Sequence, residues 1–251
     1  MKTVLVTGAS SGYGLSTARL FHAQGWRVVA TMRTPHTDPD APSERWRVLP
    51  LDVTREASIG AALDACGPLD VLVNNAGIGG FGPLEAMSME QIRALFETNT
   101  LGTIAMSRAV LPGFRARGGG VVVNVTSSAT FAPMPLVAPY TATKAAIEGF
   151  TASLAHELAA LNVRVKLVEP GYCPTTRFTQ NSGSRIVTRA PEAYASLVSR
   201  VLAGAARPGE VTTPGDVAQA VLRAALDPSD RLRYPAGVDA VAIAPPDVGA
   251  R

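Results

Sequence analysis

Short apolar, β-branched runs alternate along the chain with longer segments in which apolar residues recur every three to four positions. The short runs are Thr3 to Thr7, Arg27 to Met32, Arg47 to Leu51, Asp70 to Asn74, Val121 to Thr126 and Val163 to Glu169. Several are apolar throughout, which predicts strands buried on both faces. Helical periodicity falls between them, near 12–24, 54–65, 88–116 and 140–161. This alternation predicts βαβ units and hence an α/β fold: a doubly wound parallel sheet with helices on both faces. After Pro170 the rhythm is lost in a stretch rich in Gly, Pro, Thr, Ser and Arg. That stretch, with a helical pattern near 191–204, predicts a substrate loop and lid over 172–205. A helix near 214–226 and a short added strand, Leu232 to Pro235, follow. No linker divides the chain, so residues 1–251 read as a single domain.

The first strand runs straight into Thr7-Gly8-Ala9-Ser10-Ser11-Gly12-Tyr13-Gly14, where an amphipathic helix opens. Glycines at this point allow a tight turn and a close backbone approach to phosphate, and the helix end offers free N–H groups. The spacing is G-x3-G-x-G, without the Gly-Lys-Ser/Thr ending of an ATP loop. Taken alone, the octet also fits an ordinary glycine turn. In a doubly wound sheet the end of the second strand faces the adenosine ribose, where a carboxylate suits NAD and a cation the 2′-phosphate of NADP. Here that strand ends Ala30-Thr31-Met32-Arg33-Thr34, with no carboxylate and one guanidinium.

A helix start is expected at Pro139, since proline pre-sets the helical φ. Tyr140 and Lys144 then lie one turn apart on one face. An ammonium and a positive helix end both favour phenolate, so the Tyr140 pKa is expected to fall from about 10 toward neutrality. Such a tyrosine is a general acid for a carbonyl oxygen and a base for an alcohol. Ser127 follows the strand 121–126 and shares its carboxyl-end crevice with the glycine loop.

Composition narrows the picture. With 47% hydrophobic and 17% charged residues the chain is globular, and no apolar run reaches the ~18 residues of a membrane span. The net charge is +3, but the cations are scattered and not interleaved with aromatics, so nucleic acid is not an expected partner. Only Lys2, Lys144 and Lys166 are lysines among 23 cationic residues, which draws attention to each. Cys66 and Cys173 are far apart, and His22, His36 and His156 have no ligand spacing; neither disulfide nor metal is expected. The start has no signal-peptide order, so a cytoplasmic location is expected.

The chain resembles the short-chain dehydrogenase/reductase (SDR) family, NADP-preferring type. It matches in order Thr7-Gly8-x3-Gly12-x-Gly14, Asp52, Asn74-Asn75-Ala76-Gly77, Asn99, Ser127, Tyr140-x3-Lys144 and Pro170-Gly171-x3-Thr175. The resemblance implies a Rossmann-like fold and hydride exchange between nicotinamide and a carbonyl or alcohol. It makes Tyr140 the proton donor or acceptor, Lys144 the group that lowers its pKa and binds the nicotinamide ribose, and Ser127 the group that positions the carbonyl. Asn99 would hold a water in a proton relay. The cofactor would meet Gly8, Ser10, Ser11, Gly12, Tyr13 and Gly14 at its phosphates, Arg33 at the 2′-phosphate, and Asp52 and Val53 at adenine. Asn75, Ala76 and Gly77 would line its cleft, and Pro170, Gly171, Cys173 and Thr175 its nicotinamide end. NADP(H) is expected over NAD(H), and a homodimer or homotetramer is implied through the helices near 88–116 and 140–161.

Tyr13 stands where the family commonly has an aliphatic residue, Thr143 where Ser is usual, and Ser11 where NADP-preferring members often carry a cation. Phe81, Phe131, Met134, Leu136 and Val137 predict a small apolar carbonyl or alcohol substrate, while Arg177, Arg185 and Arg189 offer an acidic group an alternative. A catalytically silent dinucleotide sensor on this fold has no need of Ser127, Tyr140 and Lys144 together.

Overall fold

The computed structural model of the chain describes residues 1–36, 44–176, 182–187, 190–206 and 209–246. Arg177 and Arg189, with part of the expected lid, lie outside the described residues. Every residue of β1 (Thr3–Val6) and β4 (Val71–Asn74) is buried, as strands covered on both faces require. They pair with β2 (Arg27–Met32), β3 (Trp46–Pro50), β5 (Gly120–Val125), β6 (Val163–Pro170) and β7 (Arg233–Ala236). The seven strands among the described residues form one parallel sheet in the order β3-β2-β1-β4-β5-β6-β7. The added strand 232–235 of the sequence reading is β7. Chain order reverses between β1 and β4, and ligand crevices of doubly wound sheets open at that switch point.

Successive side chains of a strand face opposite sides, so the apolar runs build two cores at once. Val4, Val6, Val28 and Val73 pack with Ala18 and Phe21 of α1 (Gly12–Ala23) and Val217 and Val221 of α7 (Pro214–Leu226). Leu5, Val29, Leu72 and Val122 meet Cys66 of α2 (Glu56–Cys66), Phe114 of α4 (Gly102–Ala116) and Leu154 of α5 (Ala138–Leu158). Of the remaining helices among the described residues, α3 (Met89–Phe96) precedes α4, α6 (Ala195–Ala206) buries none of its residues, and α8 (Val238–Ile243) follows β7. No helix among the described residues is long and apolar enough to cross a membrane.

The expected single helix over 88–116 is α3 and α4 joined by a π-helical turn, Glu97–Leu101. Such turns widen the backbone ladder by one residue and recur at functional sites, and this one carries Asn99.

One buried charge cluster has no counterpart in the sequence reading. Glu169, fully buried at the end of β6, pairs with Arg233 of β7, which also reaches Glu148 of α5 at 3.0 Å. Glu148 Oε1 and Glu169 Oε2 have no hydrogen-bond partner. Burial outweighs the Arg233 charge, and with Glu148 close by the Glu169 carboxyl is raised from 4.5 to about 7. A carboxyl raised on folding stabilises the protein most below its unfolded value, and that stability is lost as pH rises through the folded one. Chemical denaturation is therefore expected to show stability falling between about pH 5 and 7.5, and this slope should flatten in Glu169→Gln. An unchanged slope in the variant would assign the pH dependence elsewhere.

Candidate functional site

Thr7, at the end of β1, organises the crevice. Its hydroxyl accepts from the backbone N–H groups of Asn75 (3.0 Å) and Ala76 (2.9 Å). The Asn75 side chain returns to the Thr7 and Gly8 carbonyls at 2.9 and 3.2 Å. The glycine loop and the Asn75-Ala76-Gly77 wall are thus one hydrogen-bonded unit. Gly8 has φ +68°, and a Cβ there would lie 2.8 Å from Ala76 Cα. Gly12 has φ +55° and faces Thr176. Ser11 is the N-cap of α1 but makes no side-chain cap, so the first N–H groups of α1 carry no side-chain partner. Ser10 is half-buried beside it. These features fit a dinucleotide phosphate.

At the carboxyl end of β2, Arg33 is exposed. Asp52 Oδ1 accepts from Thr54 N at 3.0 Å and Thr54 Oγ1 at 2.7 Å. Burial works against its charge, but the Thr54 bonds, Arg33 and Arg55 prevail and hold the carboxyl below its ordinary range. Val53 is buried and packs against Gly102 at the start of α4.

At the opposite end, β6 finishes at Pro170, and Gly171 N donates to Ala236 O at 3.1 Å. Cys173 Sγ lies 3.3 Å from Thr175 Oγ1. Tyr13 reaches across from the glycine loop, its hydroxyl donating to Gly171 O at 3.4 Å. Burial raises the Tyr13 phenol, and Cys173, Tyr140 and Asp239 add to the rise. Tyr13 therefore ties the glycine loop to the loop that follows β6. Asp239, absent from the sequence reading, anchors the far loop by accepting from Tyr172 N at 2.7 Å and Thr212 Oγ1 at 2.5 Å.

Ser127, Tyr140 and Lys144 converge between these loops. Pro139 lies in the first turn of α5, as expected, and sets Tyr140 and Lys144 on the inner face. The Ser127 hydroxyl accepts from Ala129 N at 3.2 Å and hydrogen-bonds the Tyr140 phenol. Lys144 Nζ donates to Val125 O at 3.0 Å and lies 6.0 Å from the centre of the Tyr140 ring. Burial pushes Tyr140 up to about 12, against a smaller lowering from Ser127, and pushes Lys144 down to about 8. This corrects the expected fall of the Tyr140 pKa through Lys144. Burial disfavours phenolate and ammonium alike, and the ammonium is engaged by a carbonyl rather than by the phenol.

Asn99 is buried behind this group. Its Oδ1 accepts from Ile78 N at 2.8 Å, and its Nδ2 donates to Ile78 O at 2.9 Å and Thr143 Oγ1 at 3.1 Å. Thr143 in turn donates to Tyr140 O at 2.6 Å. A Cβ added at Gly77 would lie 3.3 Å from Asn99 Oδ1 and 3.6 Å from Lys144 Nζ, which brings the wall, Asn99 and the lysine together. Beneath them Asn74 donates to Asn124 (2.9 Å) and Ser107 (3.0 Å), and Asn124 donates to Thr151 (2.9 Å). A buried network of this kind holds β4, β5, α4 and α5 in one register.

Of the expected substrate wall, Leu136 is buried, Phe81, Phe131 and Val137 are half-buried and Met134 is exposed. Leu136 takes φ +68°, uncommon for a branched residue, and its carbonyl accepts from Gly82 N at 2.8 Å. Ile186 forms a parallel bridge to Phe81, so the chain at Ile186 meets this wall directly.

Residues 2–186 match the short chain dehydrogenase family. The chain is 36% identical over 250 residues to the uncharacterised oxidoreductase YusZ of Bacillus subtilis (strain 168), covering 94% of this chain and 89% of that one. It is also 36% identical over 203 residues to a 3-ketodihydrosphingosine reductase of Bacteroides thetaiotaomicron, covering 79% and 74%. Among solved structures, a short-chain dehydrogenase from Streptomyces avermitilis has TM-score 0.84 at 33% identity, covering 97% of this chain and 91% of that one. The closed form of a serine dehydrogenase complexed with NADP+ has TM-score 0.77 at 30% identity, covering 92% of each. Sheet order, crevice and kinship agree, and the chain belongs to the short-chain dehydrogenase family as a nicotinamide-dinucleotide-dependent oxidoreductase.

Proposed function

We propose that this oxidoreductase interconverts a small apolar aldehyde or ketone and its alcohol, using NADP(H) in preference to NAD(H). The observation that carries the reading is the hydrogen bond between Ser127 and Tyr140, set beside the buried Lys144 at the switch point of the sheet. The nicotinamide, when bound, supplies or takes up the hydride. A substrate oxygen in the crevice would accept from the Ser127 hydroxyl and from the Tyr140 phenol, which polarises the carbonyl. With its pKa near 12 the phenol is fully protonated at neutral pH and acts as donor as the alkoxide forms. Lys144, close to the phenol, gains from the phenolate so produced, while the single Ser127 proton stays on the substrate oxygen. Asn99 positions the relay by clamping Ile78 and Thr143 around the lysine.

Phe81, Phe131, Leu136 and Val137 favour an apolar substrate, and one relative is named as the reductase of a ketone, 3-ketodihydrosphingosine. The test is an aldehyde and ketone panel with NADPH, followed by loss of reduced-nicotinamide absorbance. Turnover of apolar carbonyls supports the reading; none across the panel, with NADPH bound, overturns it.

Arg33, and the lack of a carboxylate within Ala30-Thr31-Met32-Arg33-Thr34 at the end of β2, support NADP(H). In Arg33→Ala, NADPH affinity is expected to fall about tenfold or more while NADH affinity changes little, as read by calorimetric titration. Equal losses would remove Arg33 from the 2′-phosphate.

A further inference from the structure

The reaction above makes no use of the carboxyls of Glu148 and Glu169, although both adjoin groups that it does use. Tyr140, Lys144 and Glu148 recur at every fourth residue of α5 and so form one stripe of the helix. Glu169 precedes Pro170 at the end of β6, the strand on which α5 packs.

Arg233 of β7 joins the two carboxyls. Its Nη2 donates to Glu148 Oε2 at 3.0 Å, and its Nη1 donates to Glu169 Oε1. Both nitrogens sit on one guanidinium carbon, so the carboxyls that they hold lie side by side. Each carboxyl has then used one oxygen. The other oxygen, Oε1 of Glu148 and Oε2 of Glu169, is buried and meets no donor.

Two ionised carboxylates on one guanidinium leave a net negative charge where Glu169 is wholly enclosed. They also leave two acceptors unsatisfied, since a carboxylate has no proton to give. One added proton removes both faults: it cancels the excess charge and makes one carboxyl a donor to the other. The neighbouring charged groups are committed elsewhere. Lys144, one turn earlier on α5, donates to Val125 O, and Lys166 of β6 donates to the Ser229 and Arg231 carbonyls. Arg231 donates to Arg233 O and lies over the Tyr234 ring, and Asp239 of α8 accepts from Tyr172 N and Thr212 Oγ1.

We propose that Glu148 and Glu169 share one proton across the joint of α5 and β6, and that this pair, gripped by Arg233, is a positioning element for the turn of α5 that carries Lys144. Lys144 fastens that turn to β5 through Val125 O, and the pair fastens the next turn to β6 and β7. Loss of the proton sets two buried anions against each other and loosens the second fastening.

The test uses the full-length chain and needs no substrate. Infrared spectra of protein isotope-labelled at the glutamate carboxyls are expected to show a protonated carboxyl band at about pH 6 that disappears by about pH 9. The band should be missing in Glu148→Gln and in Glu169→Gln, because the amide supplies the N–H that lets the remaining carboxylate stay ionised. Glu148→Gln should also remove most of the fall in stability between about pH 5 and 7.5, although Glu169 stays buried. Hydrogen exchange over residues 141–150, corrected for the intrinsic effect of pH, should be about tenfold faster at about pH 8.5 than at about pH 6 in the wild type. It should be slow at both in Glu148→Gln and fast at both in Glu148→Ala. A wild type without a protonated carboxyl at about pH 6 overturns the shared proton, since another donor, such as a buried water, then satisfies the two oxygens. A fall in stability that survives in Glu148→Gln overturns it as well, because burial of Glu169 alone then holds the proton. The band with exchange over 141–150 indifferent to pH overturns the positioning role.

Discussion

Replacing Tyr140 by Phe is expected to lower kcat for carbonyl reduction by about 10²–10⁴-fold, while dinucleotide affinity stays nearly unchanged. The substitution removes one hydroxyl and keeps the ring, so the inner face of α5 stays filled. What disappears is the proton that must reach the substrate oxygen as the alkoxide forms, together with the partner of Ser127. Turnover and a fluorescence titration of Trp26 and Trp46 separate the two effects. Retained turnover would remove Tyr140 as the donor. The wild-type pH profile carries a second sign. The phenol, near 12, does not titrate in the working range, whereas Lys144, near 8, does. Reduction should therefore decline above about pH 8 as the ammonium that stabilises the phenolate is lost.

Most of the fold is legible in the sequence because strands buried on both faces leave no room for polar alternation. Runs such as Val71–Asn74 and Gly120–Val125 are apolar over most of their length, and helices between strands bury residues at helical spacing, as Ala18 and Phe21 do in α1. The site is legible for a different reason. Glycines at φ +68° and +55°, an asparagine bonded to the turn, and a tyrosine and lysine one helical turn apart are local demands on residue type. What escapes is what depends on distant partners. No local pattern announces that helix 88–116 opens into a π turn at Asn99, since the cause lies in Ile78 and Thr143, respectively 21 and 44 residues away. Nor does it announce that Glu148, Glu169 and Arg233 meet, or that Asp239 holds the loop after β6. Thr7 was visible as part of the first motif, but its job of gathering Asn75 and Ala76 is a tertiary fact. The Tyr140 pKa fails in the sequence reading for the same reason. Spacing brings a charge near the phenol; burial, which only the fold determines, decides which effect wins.

The second large effect is expected from a single methyl group in the phosphate loop. A Cβ at position 14 would collide with the Gly8 carbonyl oxygen and lie 2.5 Å from Asn75 Nδ2. Neither neighbour can retreat. Asn75 Nδ2 is held by the Thr7 and Gly8 carbonyls, and Gly8 is wedged so tightly that its own Cβ would lie 2.8 Å from Ala76 Cα. Gly14→Ala must therefore displace the loop or the first turn of α1, and with it the N–H groups proposed to meet the cofactor phosphates. Dinucleotide affinity is expected to fall by about a hundredfold or more, with a stability loss of about 1–3 kcal/mol from overpacking. Gly60→Ala in α2 and Gly149→Ala in α5 are the matched controls, because an added Cβ there meets nothing within 4 Å. Both are helical, so alanine should stabilise by up to about 1 kcal/mol. Binding titrations and denaturation curves on the three variants separate crowding at one turn from the general effect of removing a glycine. Wild-type affinity in Gly14→Ala would mean that the loop tolerates a Cβ, and the close approach of helix to strand would no longer explain why glycine stands there.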